Sequence, residues 1–364
     1  MKRFRWFLAF IIIVFVMSGC KKKEKLITKE DSIIETNTPS PTVTPTEEPS
    51  PSPTTDPHRD EVESKLTGLY VSKSVASKRP YAIMFNNIKV ASPQSGTSEA
   101  DILYEAIVEG GITRLMGIFE QAKSDRIGST RSARHYFVSI ADEYDAIYVH
   151  FGQTKYATAK MKKLGINDLS GLSGIGTTVF YRDPSIKAPH NAFTSLKGLL
   201  KGTRILGYRT KYNSSYEGHF KFYDADTDLT SDKVVNKLIL NFSNYTSPYF
   251  TYDKQNKCYL RYQFGVPHID ANTKKQLKFK NIIIQLVREW NIDRKGYQTM
   301  DIENASGEGY YITNGKAMKI TWKKNEATRK MRYYSEDGSE LKINAGKTYI
   351  AIFPNNRTSG VVFK

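Results

Sequence analysis

Two cysteines in 364 residues leave no basis for an internal disulfide framework, and Cys20 and Cys258 lie too far apart to form a Cys-x-x-Cys redox or zinc motif. Histidine is equally scarce. His58, His135, His150, His190, His219 and His268 never recur at metal-ligand spacing, so no metal is expected. There is no Walker A loop, dinucleotide fingerprint or His-Glu-x-x-His, and hence no cofactor is expected. Gly171-Leu172-Ser173-Gly174-Ile175 misses the G-x-S-x-G nucleophile elbow at its last position. Cys258, inside the strand-like CYLRYQF, reads as a buried small hydrophobe. Long apolar runs are missing as well: Phe7 to Met17 supplies 11 residues, against the roughly 20 a membrane-spanning helix needs.

What that short run has is the right company. Lys2, Arg3 and Arg5 precede it and Ser18-Gly19-Cys20 follows, which is the layout of a lipoprotein signal peptide over residues 1–20, with Met17 where Leu is commoner. The mature chain would start at Cys20, carrying the lipid, beside the basic Lys21, Lys22, Lys23 and Lys25. Residues 21–66 read as a tether: Pro39 to Pro57 holds seven of the 14 prolines and almost nothing apolar. At ~3.1 Å per residue such a stretch reaches about 60 Å. The expected location is the extracytoplasmic face of the cell membrane, with the membrane as partner through the Cys20 lipid.

The net charge is +17, from 54 Lys and Arg against 37 Asp and Glu. Residues 1–66 hold ten of each sign, and the remainder divides at residue 215 into +9 and +8. An excess this diffuse lacks the stripe of a groove binder, so no nucleic-acid partner is expected.

Two domains are expected, an α/β domain over 67–215 and a mostly antiparallel β-rich domain over 216–364. In the first, RPYAIMF reads as a buried strand. Asp101 to Glu109 and Ile112 to Phe119 flank Gly110-Gly111 as a hairpin, favoured over a helix that would stack Asp101, Glu105 and Glu109 on one stripe. Pairing residues that sum to 221 sets Arg114 opposite Ile107, on one face with Glu105 and Glu109, as either a plain ion pair or a network beside a site. Apolar spacing from Ala133 to Tyr144 with Ser129 or Thr130 as cap predicts a helix beginning near Arg131. Arg131 and Arg134 would then occupy its first turn, the wrong end of the dipole for cations. Either they form an anion cradle with free backbone N–H groups and the Ser129, Thr130 and Ser132 hydroxyls, or they pair with Glu105 or Glu109. AIYVHF is a strand covered on both faces, ending at His150 beside Gln153, then a helix capped by Thr154. His150 is either a ligand contact or a hydrogen-bonded structural residue. A third helix is expected over Ala192 to Leu200. Beyond residue 215, ten Tyr/Ile/Val/Phe runs separated by turns such as Asn314-Gly315 give the β-rich texture, their tyrosines serving cross-strand packing or a binding face.

The segments RPYAIMFNN, PQSG, SEADILYEAIVEGGITRLMGIF, IGSTRSARHYF, EYDAIYVHFG and KAPHN, in this order, resemble the YerB-like lipoproteins of Gram-positive bacteria over roughly residues 79–363. That resemblance implies a membrane-anchored protein with a two-part domain, α/β and then β-rich. Its polar pattern carries over to Asn87, Gln94, Ser95, Glu105, Glu109, Arg114, Arg131, Ser132, Arg134, His150, His190 and Asn191. The reading leans away from catalysis. It expects an anionic envelope polymer or lipid headgroup bound through Asn87, Gln94, Ser95, Arg114, Arg131, Ser132, Arg134, His150, His190 and Asn191. One rival is a hydrolase or transferase with His150 or His190 as base and Glu105 or Glu109 as acid. The other is a scaffold for a membrane-protein partner.

Overall fold

The computed structural model describes residues 58–364, so the signal peptide, Cys20 and most of the expected tether lie outside the described residues. The tether's last stretch is already structured: Glu61–Glu63 pairs antiparallel with Tyr70–Ser72, and Leu66 is fully buried.

One ten-stranded sheet organises the fold. Its strands are β1 (Tyr81–Asn87), β2 (Ile102–Ile107), β3 (Thr113–Phe119), β4 (Ile147–His150), β5 (Asp168–Ser170), β6 (Asn281–Val287), β7 (Ala305–Thr313), β8 (Lys316–Asn325), β9 (Lys330–Tyr334) and β10 (Thr348–Pro354). Their order across the sheet is β9-β8-β7-β6-β10-β2-β3-β1-β4-β5. The α/β and β-rich portions therefore meet within a single sheet, through the parallel β10–β2 pair. β1, β2, β4, β5, β6 and β10 all run the same way, with β3 inserted antiparallel between β2 and β1. Most of their carboxyl ends thus share one edge, where open α/β sheets place ligands.

The central strands are buried on both faces, as their continuous apolar runs require. One face carries helix α1 (His135–Glu143), whose Phe137, Ile140 and Ala141 pack with Met84, Tyr104 and Met116, along with helix α2 (Lys155–Leu164). The other face is covered by helix α3 (Leu196–Ile205) and a smaller antiparallel sheet containing Lys237–Leu240, Tyr249–Asp253, Cys258–Gln263 and Val361–Phe363. The result is a layered α and β architecture in which every apolar strand face finds a partner.

Local rules explain several elements. Thr154 accepts from Ala157 N at 3.1 Å to start α2. Asn314-Gly315, both at positive φ, turns β7 into β8 with Thr313 opposite Lys316. Three expectations are corrected. Ala192–Thr194 is a short strand between Ile127–Gly128 and Phe180–Arg182, and α3 starts only after Ser195, whose Oγ accepts from Gly198 N. The β2–β3 connection takes in Glu109, Gly110 and Gly111, because Val108 N donates to Ile112 O and both glycines sit at positive φ. Arg114 consequently lies opposite Ala106, one residue from the expected register, which puts it and Glu105 on opposite faces. Lastly, α1 begins at His135, with Arg134 as its cap residue. Thr130 N donates to Ala192 O, Arg131 N to Met84 O and Ala133 N to Gly152 O, so this backbone is occupied by strand-like bonds and cannot form a first helical turn.

Candidate functional site

Glu105, on the face away from α1, is fully buried. Arg261 Nη2 and the Tyr349 hydroxyl donate to its Oε2 at 2.6 and 2.7 Å, and Thr113 Oγ1 and Asn87 Nδ2 to its Oε1 at 2.6 and 3.1 Å. The network continues through Arg261 to His268 and Gln263, from His268 to Gln94, and from Gln94 Nε2 to Asn86 O at 2.8 Å. Asn87, Gln94 and Glu105 are therefore spent tying β1 and β2 to the smaller sheet and are not open to a ligand. Arg261 and His268 were missed in the sequence, since nothing local marks residues about 160 positions from Glu105 as its partners. Ser95 is also elsewhere: its backbone pairs with Gly128 and its hydroxyl meets Arg126.

On the α1 face, at the shared carboxyl edge, three guanidinium groups come together. Arg114 Nη1 donates to Ser132 O at 2.6 Å, and Arg134 Nη1 reaches the same carbonyl at 3.4 Å and Ala133 O at 2.9 Å. Arg131 Nη1 donates to Pro189 O at 3.3 Å, while its Nε is buried without a hydrogen-bond partner. The buried Ser129 hydroxyl on the same segment has none either. Glu109 is the carboxylate against this cluster. Its Oε1 accepts from Arg134 Nε at 2.8 Å, and Arg134 Nη2 also pairs with it. Burial opposes ionisation of Glu109, but Arg134 and then Arg114 outweigh it and hold its carboxyl below the usual range.

Charge in this cluster is not balanced. Burial first, then the charges of Arg134 and Arg131, push Arg114 down to about 9. Arg131 is lowered by burial and by Arg134. Because a guanidinium keeps its proton, these directions reflect burial first and, after it, the crowding of three cations against one carboxylate. Arg114 and Arg134 are buried and Arg131 is half-buried, so the cluster grades from floor to rim.

His190 joins at the rim. Its Nδ1 meets Asn86 Nδ2 at 2.9 Å, and burial, then Arg131, lowers its pKa. Asn191 lies beneath it, bonded to Arg182 and Asp183 O. His150 is adjacent but committed, Nδ1 to Gly152 O at 2.9 Å and Nε2 to Asp168 at 3.1 Å. It fixes the Gly152 loop that receives Ala133 N and is not exposed to a ligand. The expected His-plus-carboxylate pairings are not brought together in the described contacts: both nitrogens of His150 and the Glu105 carboxylate are bonded elsewhere, His190 Nδ1 meets Asn86, and Glu109 is held ionised by Arg134. Among the described residues no group of three His, Cys, Asp or Glu is placed to hold a metal.

Residues 66–209 match the model of the N-terminal domain of a protein of unknown function, DUF3048, and residues 238–350 match that of its C-terminal domain. Putative lipoprotein YerB of Bacillus subtilis (strain 168) is 31% identical over 296 residues, covering 81% of this chain and 87% of that protein. The crystal structure of YerB from Bacillus subtilis superposes with a TM-score of 0.74 at 30% identity, over 83% of this chain and 99% of that one. Among the described residues no helix is long and apolar enough to cross a membrane.

Proposed function

Because the chain belongs to the DUF3048 family of YerB-like lipoproteins, we propose that it is lipid-anchored at Cys20 on the extracytoplasmic face of the membrane and binds an anionic envelope ligand through Arg114, Arg131 and Arg134. A phosphate-bearing glycan or lipid headgroup has the required chemistry: planar guanidinium forks bind phosphate oxygens through two parallel bonds. The observation that carries this reading is the uncompensated charge. Arg114 and Arg134 share the Ser132 carbonyl, and among the described residues Glu109 is the one carboxylate paired with the cluster and Arg131 Nε has no hydrogen-bond partner. A dianion would remove the repulsion among the cations and supply the missing acceptor. His190 on the rim, with Nδ1 accepting from Asn86 Nδ2, adds an Nε2–H donor in its neutral form.

Thermal unfolding of the protein with inorganic pyrophosphate tests this. The midpoint should rise with ligand concentration as binding to the folded state dictates, and Arg131→Gln should weaken the response about tenfold while leaving the ligand-free midpoint nearly unchanged. No rise in the wild-type midpoint with pyrophosphate or with phosphate-bearing wall glycan would overturn the assignment.

A further inference from the structure

A second feature lies at the opposite edge of the sheet, by the amino ends of β1 and β4. There a cavity of about 380 Å³ is walled by Tyr81, Ile147, Leu196 and Leu200, with Lys78 and Lys211 among its polar members. Its volume and mainly apolar wall fall in the range of small-molecule sites. Glu120 is also on the wall. Burial, opposed by a Ser64 hydrogen bond, pushes it up to about 7, so near neutrality it carries only about half a negative charge.

Helix α3 forms one side of this cavity. Leu199, Gly202 and Thr203 face inward, while Lys197, Leu200, Lys201, Arg204 and Ile205 form the outward stripe at i, i+3, i+4, i+7 and i+8. Leu200 and Ile205 are each 53% exposed and the following Leu206 39%. The helix contains no acidic residue. Exposed Leu200 and Ile205 flanked by Lys197, Lys201 and Arg204 give this face both apolar area and positive charge, the two contributions by which a surface binds an anionic bilayer.

The described chain also enters the fold here. From His58 it runs through Glu61–Glu63 and Tyr70–Ser72 into the short helix Lys73–Ala76, and Lys73 Nζ donates back to Arg59 O at 3.0 Å. Ser74 and Ser77, within and just after that helix, line the cavity. Leu69 and Tyr70, in and before the second of these strands, are about half exposed. The segment leading back to Cys20 therefore joins the fold beside the same apolar and basic surface.

We propose that this edge docks on an anionic lipid bilayer, with Lys197, Lys201 and Arg204 at the headgroups, Leu200 and Ile205 toward the acyl layer, and the cavity admitting a lipid tail. The surface is separate from the arginine cluster and does not depend on what that cluster binds. Lys197, Lys201 and Arg204 beside one another give the tethered domain an electrostatic attraction to an anionic surface.

Hydrogen exchange of the full chain, reconstituted in phosphatidylglycerol or in phosphatidylcholine vesicles, decides it. Amides of 196–206 should exchange roughly tenfold more slowly in the anionic vesicles. The protection should vanish in Leu200→Ser/Ile205→Ser, with β1 amides unchanged as evidence that the fold is intact, and should persist in Arg131→Gln. Equal exchange in both vesicle types overturns the proposal, as does protection that survives the double substitution or is lost in Arg131→Gln.

Discussion

Two clusters of charge sit on opposite faces of the same strands, and they differ in how they are satisfied. Around Glu105, one carboxylate meets one guanidinium, and Asn87, Thr113 and Tyr349 fill its remaining lone pairs. Among the described residues, Arg261 Nε and Gln263 Nε2 are left without partners there. Around Arg114, three cations meet one carboxylate at a sheet edge, with Arg131 half-exposed. A buried pair that balances itself locks layers together and gives a ligand nothing to gain. An unbalanced cluster at an edge retains an electrostatic deficit that an anion entering from outside can offset.

Removing the charge of Glu105 should have the largest effect. Glu105→Gln strands Arg261 in a dry site and should cost about 3–5 kcal/mol in denaturant unfolding. A loss below about 1 kcal/mol would mean that water reaches this network and that the contrast is weaker than drawn.

Glu120 supplies an intermediate case, a buried carboxyl with no cationic partner. Its folded pKa of about 7 exceeds the usual carboxyl value, so the folded state binds the extra proton between those values. Stability from this group is present below pH 4.5 and lost as pH rises through 7, by up to about 3 kcal/mol. Glu120→Gln should flatten that decline, seen as a wild-type minus variant difference that grows from pH 5 to pH 8. Parallel curves would show that Glu120 ionises freely.

The smallest change in stability, and the sharpest test of the comparison, is Glu109→Gln. Arg134 loses a partly exposed partner, at about 1–2 kcal/mol, but the cluster gains a full unit of positive charge. Pyrophosphate affinity, read by calorimetry, should rise several-fold. The equivalent substitution at Glu105 should do nothing for affinity beyond destabilising the fold. A fall in affinity in Glu109→Gln would make Glu109 a positioning residue that holds Arg134 for the ligand.

Much of this was legible in the chain. Apolar runs located the central strands, and Thr154 and Asn314-Gly315 fixed a helix start and a hairpin, whereas the helix start expected near Arg131 was misplaced, since α1 begins at His135 and the preceding backbone makes strand-like bonds. The β2–β3 hairpin was legible as a hairpin but not in its register, because both glycines lie in the turn and only the Val108–Ile112 bond shows that Glu109 belongs to it too. That one residue decides which face Arg114 occupies.

By itself, then, the sequence determines what depends on near neighbours: strand and helix periodicity, turn chemistry, the lipobox pattern ending at Cys20, and the diffuse basic excess. Tertiary structure alone decides which charges are neutralised. Ion pairing depends on distances between residues remote in sequence, as from Glu105 to Arg261, and on removal of water by layers that pack only once the fold exists. Asn87, Gln94 and Glu105 look like the arginines when read along the chain, as polar residues in a shared pattern. Folding assigns the first three to the interior and leaves Arg131 at an edge with a donor unfilled.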